Sequence, residues 1–311
     1  MAHPGAASLA TDELVQARHL TAVPVGGGGD AYDSATRQAH EDAVLRILRL
    51  MRETFSDDLT LEDMAAAALF SPYYANRLFR LLTGVQPRRF LAAIRFDAAK
   101  RLLADSTLSV TEICNEVGYT SLGSFTSRFH QGVGVSPRAF RRYARSRTTR
   151  TLPDTVFEVG RPEADGAVIR GTTRMDLEHD AVTFIGLFPT PVPEGLPWAC
   201  TLARTPGNFE LSCRREGRAF LLAVAVPEPE PDTLGDCLLP DGLDLRVASQ
   251  PVVLGGPGSS AVTEVELRLR PVEPTDPPIV SSLPYLLERS LGARTAPGWN
   301  GSPADDLAAA R

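Results

Sequence analysis

Between about Glu41 and Arg145, apolar residues recur at spacings of three and four. Beyond Arg150 that spacing gives way to short apolar runs separated by proline and glycine. The first pattern predicts helices and the second predicts strands. Leu45, Leu48 and Met51 mark one amphipathic helix, which ends before Ser56-Asp57-Asp58. Thr60 to Asp63 then offers an N-cap threonine with a carboxylate three residues later, a variant of the capping box. The helix behind it presents Leu61, Met64, Ala65 and Ala68 on one side. After a break at Leu69-Phe70, Ser71-Pro72 reads as an N-cap followed by proline at the first helical position. The second helix runs to Thr83, and Gly84 supplies its stop. From Pro87 to about Ala104 a single unbroken helix follows, with an apolar stripe of Phe90, Ile94, Ala98 and Leu102.

The same unit then comes again. Ser109 to Glu112 is a full capping box, Val110, Ile113, Cys114 and Val117 form the buried side, and Gly118 ends the helix. The next helix starts near Thr120-Ser121 and is expected to bury Leu122, Phe125 and Phe129. Ser136-Pro137 caps a last helix reaching Arg145. The strings FRLLTGVQPRRF from Phe79 and FHQGVGVSPRAF from Phe129 share Phe, Gly, Val, Pro, Arg and Phe at positions 1, 6, 7, 9, 10 and 12. The chain therefore reads as a duplicated helix-turn-helix joined by a stiff rod. At 1.5 Å per residue the rod is roughly 27 Å long, compatible with the roughly 34 Å between successive major grooves on one face of DNA.

The second helix of the first copy divides by face. Ala75, Leu78, Phe79 and Leu82 make the core side, while Tyr73, Asn76, Arg77 and Arg80 repeat the same spacing outward. An aromatic, an amide and two guanidinium groups with no acid among them suit the reading of base edges. Arg bridges guanine O6 and N7, and Asn pairs with adenine N6 and N7. In the second copy the outward residues Ser121, Gly123, Ser124, Ser127, His130 and Gln131 are mostly short. That helix is expected to contribute positioning and shape readout, leaving most specificity to the first. Arg88, Arg89, Arg138, Arg141, Arg142 and Arg145, at helix starts and ends, are candidates for phosphate contacts.

Charge sharpens the division. The chain of 311 residues has a net charge of −6, yet residues 41–150 hold 17 Arg/Lys against 11 Asp/Glu, while residues 151–311 hold 13 against 23. A basic middle points to an anionic partner. The four cysteines, Cys114, Cys200, Cys213 and Cys237, lie apart with no CxxC pair. That spacing argues against a zinc site or a disulfide scaffold and fits a cytoplasmic protein. With neither a signal peptide nor an apolar run long enough to span a membrane, the protein is expected to be soluble.

These residues resemble the AraC/XylS-type transcriptional regulators over roughly 57–145. The elements are Ser71, Arg77 and Phe79 with Gly84 and Pro87; Arg95, Ala99, Leu102 and Leu103; Ile113 to Tyr119; Phe125 and Phe129; and Gly134 to Pro137 followed by Phe140-Arg141. The resemblance implies a homeodomain-like, all-α domain of seven helices that places two recognition helices in adjacent major grooves. It implies base contacts from Tyr73, Asn76 and Arg77, and it sets Leu122, Gly123, Thr126 and Ser127 at the DNA-facing positions of the second helix. Ser71 and Ser121, at the starts of the two helices, join the expected phosphate contacts. Members commonly carry this domain at the C-terminus; here another region follows it.

That following region reads as seven strands: 182–188, 198–204, 208–213, 219–226, 243–248, 251–254 and 262–270. An all-β antiparallel sandwich is expected, with a pattern at Gly207–Leu211 and Gly217–Val224 similar to the transthyretin-like fold of carboxypeptidase regulatory domains. The expected organisation is a flexible leader at 1–40, a DNA-binding domain at 41–150, a linker at 151–178, a regulatory or dimerising sandwich at 179–272 and a loose tail at 273–311. No enzyme is expected. His179 is the lone histidine after His130, and Cys213 reads as a core cysteine despite Arg214 and Arg215 beside it. Double-stranded DNA is the expected partner, with RNA polymerase, a second copy of the chain and a small effector as further candidates; no cofactor or metal is expected. The alternative is an architectural or autoinhibited DNA-binding protein whose sandwich binds a partner or ligand.

Overall fold

Capping chemistry sets the helix boundaries. The computed structural model describes residues 30–146, 166–176, 181–227, 245–255 and 262–282. Among these lie seven helices: α1 Asp30–Glu53, α2 Leu61–Ala68, α3 Pro72–Thr83, α4 Pro87–Asp105, α5 Val110–Glu116, α6 Leu122–Val133 and α7 Pro137–Ser146. Both capping boxes are formed. Thr60 Oγ1 accepts from the Asp63 amide and the Asp63 carboxylate accepts from the Thr60 amide; Ser109 and Glu112 do the same. These hydrogen bonds to the ionised form hold both carboxyls below their usual range, for Asp63 chiefly through the Thr60 hydroxyl and for Glu112 chiefly through the Ser109 amide. Gly84 and Gly134 close α3 and α6 in the left-handed conformation, at φ 74° and 93°.

Three expectations about the helical part need correction. The segment 30–40, expected in a flexible leader, is the first part of α1, while residues 1–29 lie outside the described residues. Leu122 is 42% exposed instead of buried. The single stripe on the rod is also wrong. Phe90, Leu91, Ala93 and Ile94 are buried in its first half and Phe96, Ala99, Lys100 and Leu103 in its second, so burial passes round the helix.

The strands are β1 Ala167–Met175, β2 Ala181–Phe188, β3 Ala199–Thr205, β4 Gly207–Cys213, β5 Gly217–Pro227, β6 Arg246–Leu254 and β7 Val262–Pro271. They form one connected sheet in the order β3-β2-β5-β6-β7-β1-β4. Only Arg246↔Pro271 and Val247↔Arg270 pair across β6 and β7, so a short ladder joins the two parts of the sheet there. The two parts share one core: Ile169, Phe209, Leu211, Leu267 and Leu269 from one, Ile185, Leu187, Leu221 and Leu254 from the other. The pairing is not wholly antiparallel, because β1 and β7 run parallel from Val168↔Val262 to Met175↔Leu269. The strands expected at 243–248 and 251–254 are one strand, β6, beginning at Arg246; residues 243–244 lie outside the described residues.

The expected linker at 151–178 contains β1, and residues 151–165 lie outside the described residues. Of its inward positions only Ile169 is a large apolar residue; Ala167, Gly171 and Thr173 are too small or too polar to announce a strand. The space explains Gly171: a Cβ there would meet Val265 O at 2.5 Å and the Phe209 ring at 2.6 Å. Thr173 is buried and accepts a hydrogen bond from Thr205 Oγ1, which in turn shares one with Thr183 Oγ1, so the polar atoms in this part of the core satisfy one another.

Contacts divide the chain into two units, and the division falls inside α4 and not at residue 150, where the composition changes. One unit runs through Arg95 and includes Glu273–Pro277; the other runs from Phe96 to Val272 and resumes at Pro278. Within the second unit, the helical copy and the sheet region are joined by backbone hydrogen bonds. Gly195 N donates to Gly132 O, and Ser282 N donates to Val133 O. Val280, fully buried, lies where a Cβ on Gly132 would touch it. Residues 273–282 are thus an ordered part of the fold and not a loose tail; the rest of that segment lies outside the described residues.

Candidate nucleic-acid interface

In the first unit, α3 is held by one face and left open on the other. Ser71 Oγ accepts from Tyr74 N at 3.4 Å, and Pro72 begins the helix. Ala75, Leu78 and Phe79 are buried, with the Phe79 ring edge-on to Phe90 at 5.5 Å. Tyr74 turns inward: its ring packs against Phe70 and His40, and its hydroxyl shares a 2.9 Å hydrogen bond with His40 Nε2. Tyr73, Asn76, Arg77 and Arg80 are all exposed. The amphipathic reading of this helix matches the burial except at its end, where Leu82, expected in the core, is half-buried and Thr83 is buried in its place.

In the second unit, α6 begins at Ser121, whose Oγ accepts from Ser124 N at 3.3 Å. Phe125 and Phe129 are buried, packed in tilted contact with one another and edge-on to Phe96 and Phe140 through Phe129. Gly123 and Ser127 are exposed and Thr126 is half-buried. A Cβ on Gly123 would find only Ser121 Oγ, 3.9 Å away, so the helix start is open. Arg128, exposed on α6, was not picked out from the sequence, although it is that helix's only arginine.

The arginines sort into two kinds. Arg88, Arg138 and Arg142 are exposed, and Arg89 is half-buried. Arg141 is half-buried, with Nε donating to Leu103 O and Nη2 to Leu108 O, so its guanidinium holds the end of α4 and the loop before α5. Burial, with Arg145 nearby, lowers its pKa from the ordinary value. Arg145 donates to Ser106 O at 3.3 Å. The first copy uses the same device: Arg95 donates to Phe55 O and Asp57 O, ahead of α2, and Arg46 donates to Ala67 O and Ala68 O at its end. These four arginines satisfy helix-end and loop carbonyls.

Cys114 and Cys213 are both buried. The Cys114 thiol donates to Tyr119 O, and burial raises its pKa. Cys213 belongs to the sheet core, while Arg214 and Arg215 are exposed. Among the described residues there is no group of three or more potential metal ligands, and no helix is long and apolar enough to cross a membrane. His179 lies outside the described residues.

Residues 64–143 match the family model of a helix-turn-helix domain. The regulatory protein PocR of Salmonella typhimurium is 32% identical over 102 residues, 33% of this chain and 34% of that protein. The HTH-type transcriptional regulator YobQ of Bacillus subtilis is 31% identical over 83 residues, 27% of this chain and 34% of its own. Among solved structures, the C-terminal domain of AraT, a response regulator from Geobacillus stearothermophilus, is 33% identical, with a TM-score of 0.31 over 36% of this chain and 88% of that one. The chain spans about a third of the length of the curated relatives it matches.

Proposed function

We propose that the helix-turn-helix domain at residues 64–143 is of the AraC/XylS type and that the chain is a sequence-specific, DNA-binding transcriptional regulator. The observation that carries this reading is the open face of α3. Tyr73, Asn76, Arg77 and Arg80 are exposed together on a helix whose opposite face buries Ala75, Leu78 and Phe79. Buried partners fix the helix, so its outward side chains meet a groove without reordering the fold. In this reading α3 and α6 enter adjacent major grooves. Arg77 and Arg80 address guanine, Asn76 addresses adenine, and the short residues of α6 let its backbone approach the duplex closely. Arg88, Arg89, Arg138 and Arg142, with Ser71 and Ser121 at the helix starts, hold the phosphates and make affinity depend on salt. The sheet region serves regulation or self-association, and the working place is DNA in the cytoplasm.

The test is selection of bound duplexes from a random library by the full chain, repeated at two salt concentrations. Two half-motifs about one helical turn apart, roughly 10 base pairs, support the double reader. A single half-motif limits base reading to α3. Failure to enrich any sequence at either salt concentration overturns the regulator reading.

A further inference from the structure

Three large apolar side chains stand exposed in the helical region: Leu69 at 81%, Tyr73 at 79% and Leu122 at 42%. All three lie at the start of a recognition helix. Leu69 comes two residues before the cap Ser71, Tyr73 is in the first turn of α3, and Leu122 is the first residue of α6. Single apolar residues scattered over a surface mean little, but apolar surface gathered at one kind of place marks contact.

Leu69 carries a second mark. Its backbone is left-handed, with φ 60° and ψ 36°, a conformation in which the Cβ of an L-residue crowds the following carbonyl. It is the one non-glycine residue with positive φ among the described residues. Its amide closes α2 by donating to Ala65 O and Ala66 O, so the turn needs this conformation. The second copy makes the corresponding turn with Gly118, at φ 77°. Each residue comes nine positions after its capping-box residue, Thr60 or Ser109. One copy thus has the residue the backbone favours, and the other has a branched side chain that strains the turn and buries little of itself. Neither folding nor internal packing accounts for leucine at this place.

Resting on the DNA-binding reading above, we propose that Leu69 is a specificity residue that packs, beside Tyr73, against the C5-methyl of a thymine at the edge of the α3 site. An aliphatic chain has nothing to offer a phosphate, and thymine methyl is the apolar group that the major groove displays. Leu69 stands two residues ahead of the α3 cap, at the N-terminal end by which such helices reach base edges. That placement, with Tyr73 exposed in the first turn behind it, favours DNA over a protein partner.

The experiment uses the full chain and the best site from the library selection. Each thymine is replaced in turn by deoxyuridine, which deletes one methyl group. Kd is measured for the wild type, Leu69→Asn and Leu69→Gly. Both replacements accept the left-handed turn, so the melting temperature should hold or rise by a few degrees. At one thymine, loss of the methyl should weaken the wild type by about five-fold and leave both variants unmoved; on the intact site the variants should bind about five-fold more weakly. If every uracil substitution acts alike on wild type and variants, Leu69 reads no methyl and the proposal falls. Variants that bind DNA as the wild type does, yet fail in a transcription reporter, would make Leu69 a protein contact and overturn it as well. A wild type that prefers no sequence overturns the DNA-binding reading itself, an outcome visible before any variant is made.

Discussion

The ammonium of Lys100, in the second half of α4, donates to the backbone carbonyl of Ile279, far along the chain from it. Lys100 is 1% exposed, and its charged neighbours are Asp97, at 3.5 Å, and Arg101, which pairs with Asp97 at 2.7 Å. A buried lysine tying a helix to a distant backbone segment explains why residues after Pro278 pack with this unit.

That relationship predicts a split between two substitutions. Lys100→Ala leaves a cavity and an Ile279 carbonyl without its donor, and should cost about 2–4 kcal/mol of stability. Lys100→Met fills the space and removes a charge that is costly to bury, and should cost less than about 1.5 kcal/mol. The pH dependence gives an independent check. Burial lowers the Lys100 pKa from its ordinary 10.5, with Asp97 opposing the shift. Between the lowered native value and 10.5 the unfolded chain holds a proton that the native chain has released, so stability rises with pH across that window. Below the window both states are protonated and that gain is absent. Urea denaturation across the alkaline range should show wild type gaining on Lys100→Met as pH rises. Parallel curves would remove the buried ammonium from the account.

Arg141 and Arg138 look alike in sequence and should behave oppositely. Arg141→Ala strips two carbonyls of their donor and should lower stability by about 1–2 kcal/mol. Arg138 is exposed, so Arg138→Ala should leave stability unchanged. If Arg138 holds a phosphate, its loss should weaken all sequences alike and reduce the salt slope by about 1. Melting curves and salt titrations on one site and one scrambled duplex separate the two. A normal melting temperature for Arg141→Ala would contradict its place in the fold.

The contrast between those arginines shows what the chain made legible. Caps and stops are local and were readable: Thr60, Ser71, Gly84 and Ser109 stand where the chemistry put them. The outward face of α3 followed from spacing alone. Long-range relations were not readable. Nothing near Arg141 in sequence says that Leu103 and Leu108 supply its acceptors. Nothing in AVIRGTTRM says that a parallel neighbour, β7, makes it a central strand, since Gly171 and Thr173 were chosen by what they pack against. The composition break near Arg150 was real, yet the contacts part inside α4, because turn residues of the second copy bond to Gly195 and Ser282.

Arg77 should govern discrimination and not general affinity. Exposed on α3, it makes none of the packing contacts that hold the helix. Arg77→Ala should therefore fold normally, lose about 1–3 kcal/mol on the preferred site and little on unrelated DNA. Competition binding with a set of single-base variants of the site is the measurement. A uniform loss over all variants would make Arg77 a phosphate contact.

Gly123 offers a test by addition. It lies in the first turn of α6, at an ordinary helical φ, with open space where a Cβ would go. Gly123→Ala should fit without strain and raise stability by about 0.5 kcal/mol, since glycine is a poor helix residue. Gly123→Gln should fold equally well and bring an amide to the start of the helix, where it can pair with adenine. Library selection with the glutamine variant should then show a new adenine preference in the second half-site, worth about 1–3 kcal/mol, with the first half-site unchanged. The alanine variant controls for any change in how closely the helix backbone approaches the duplex. If glutamine weakens every sequence while alanine does not, the side chain collides with DNA, and α6 lies nearer the bases than its short residues need. If neither substitution alters motif or affinity, α6 does not enter the groove by this face, and the second copy of the duplicated unit supports the first without reading DNA itself.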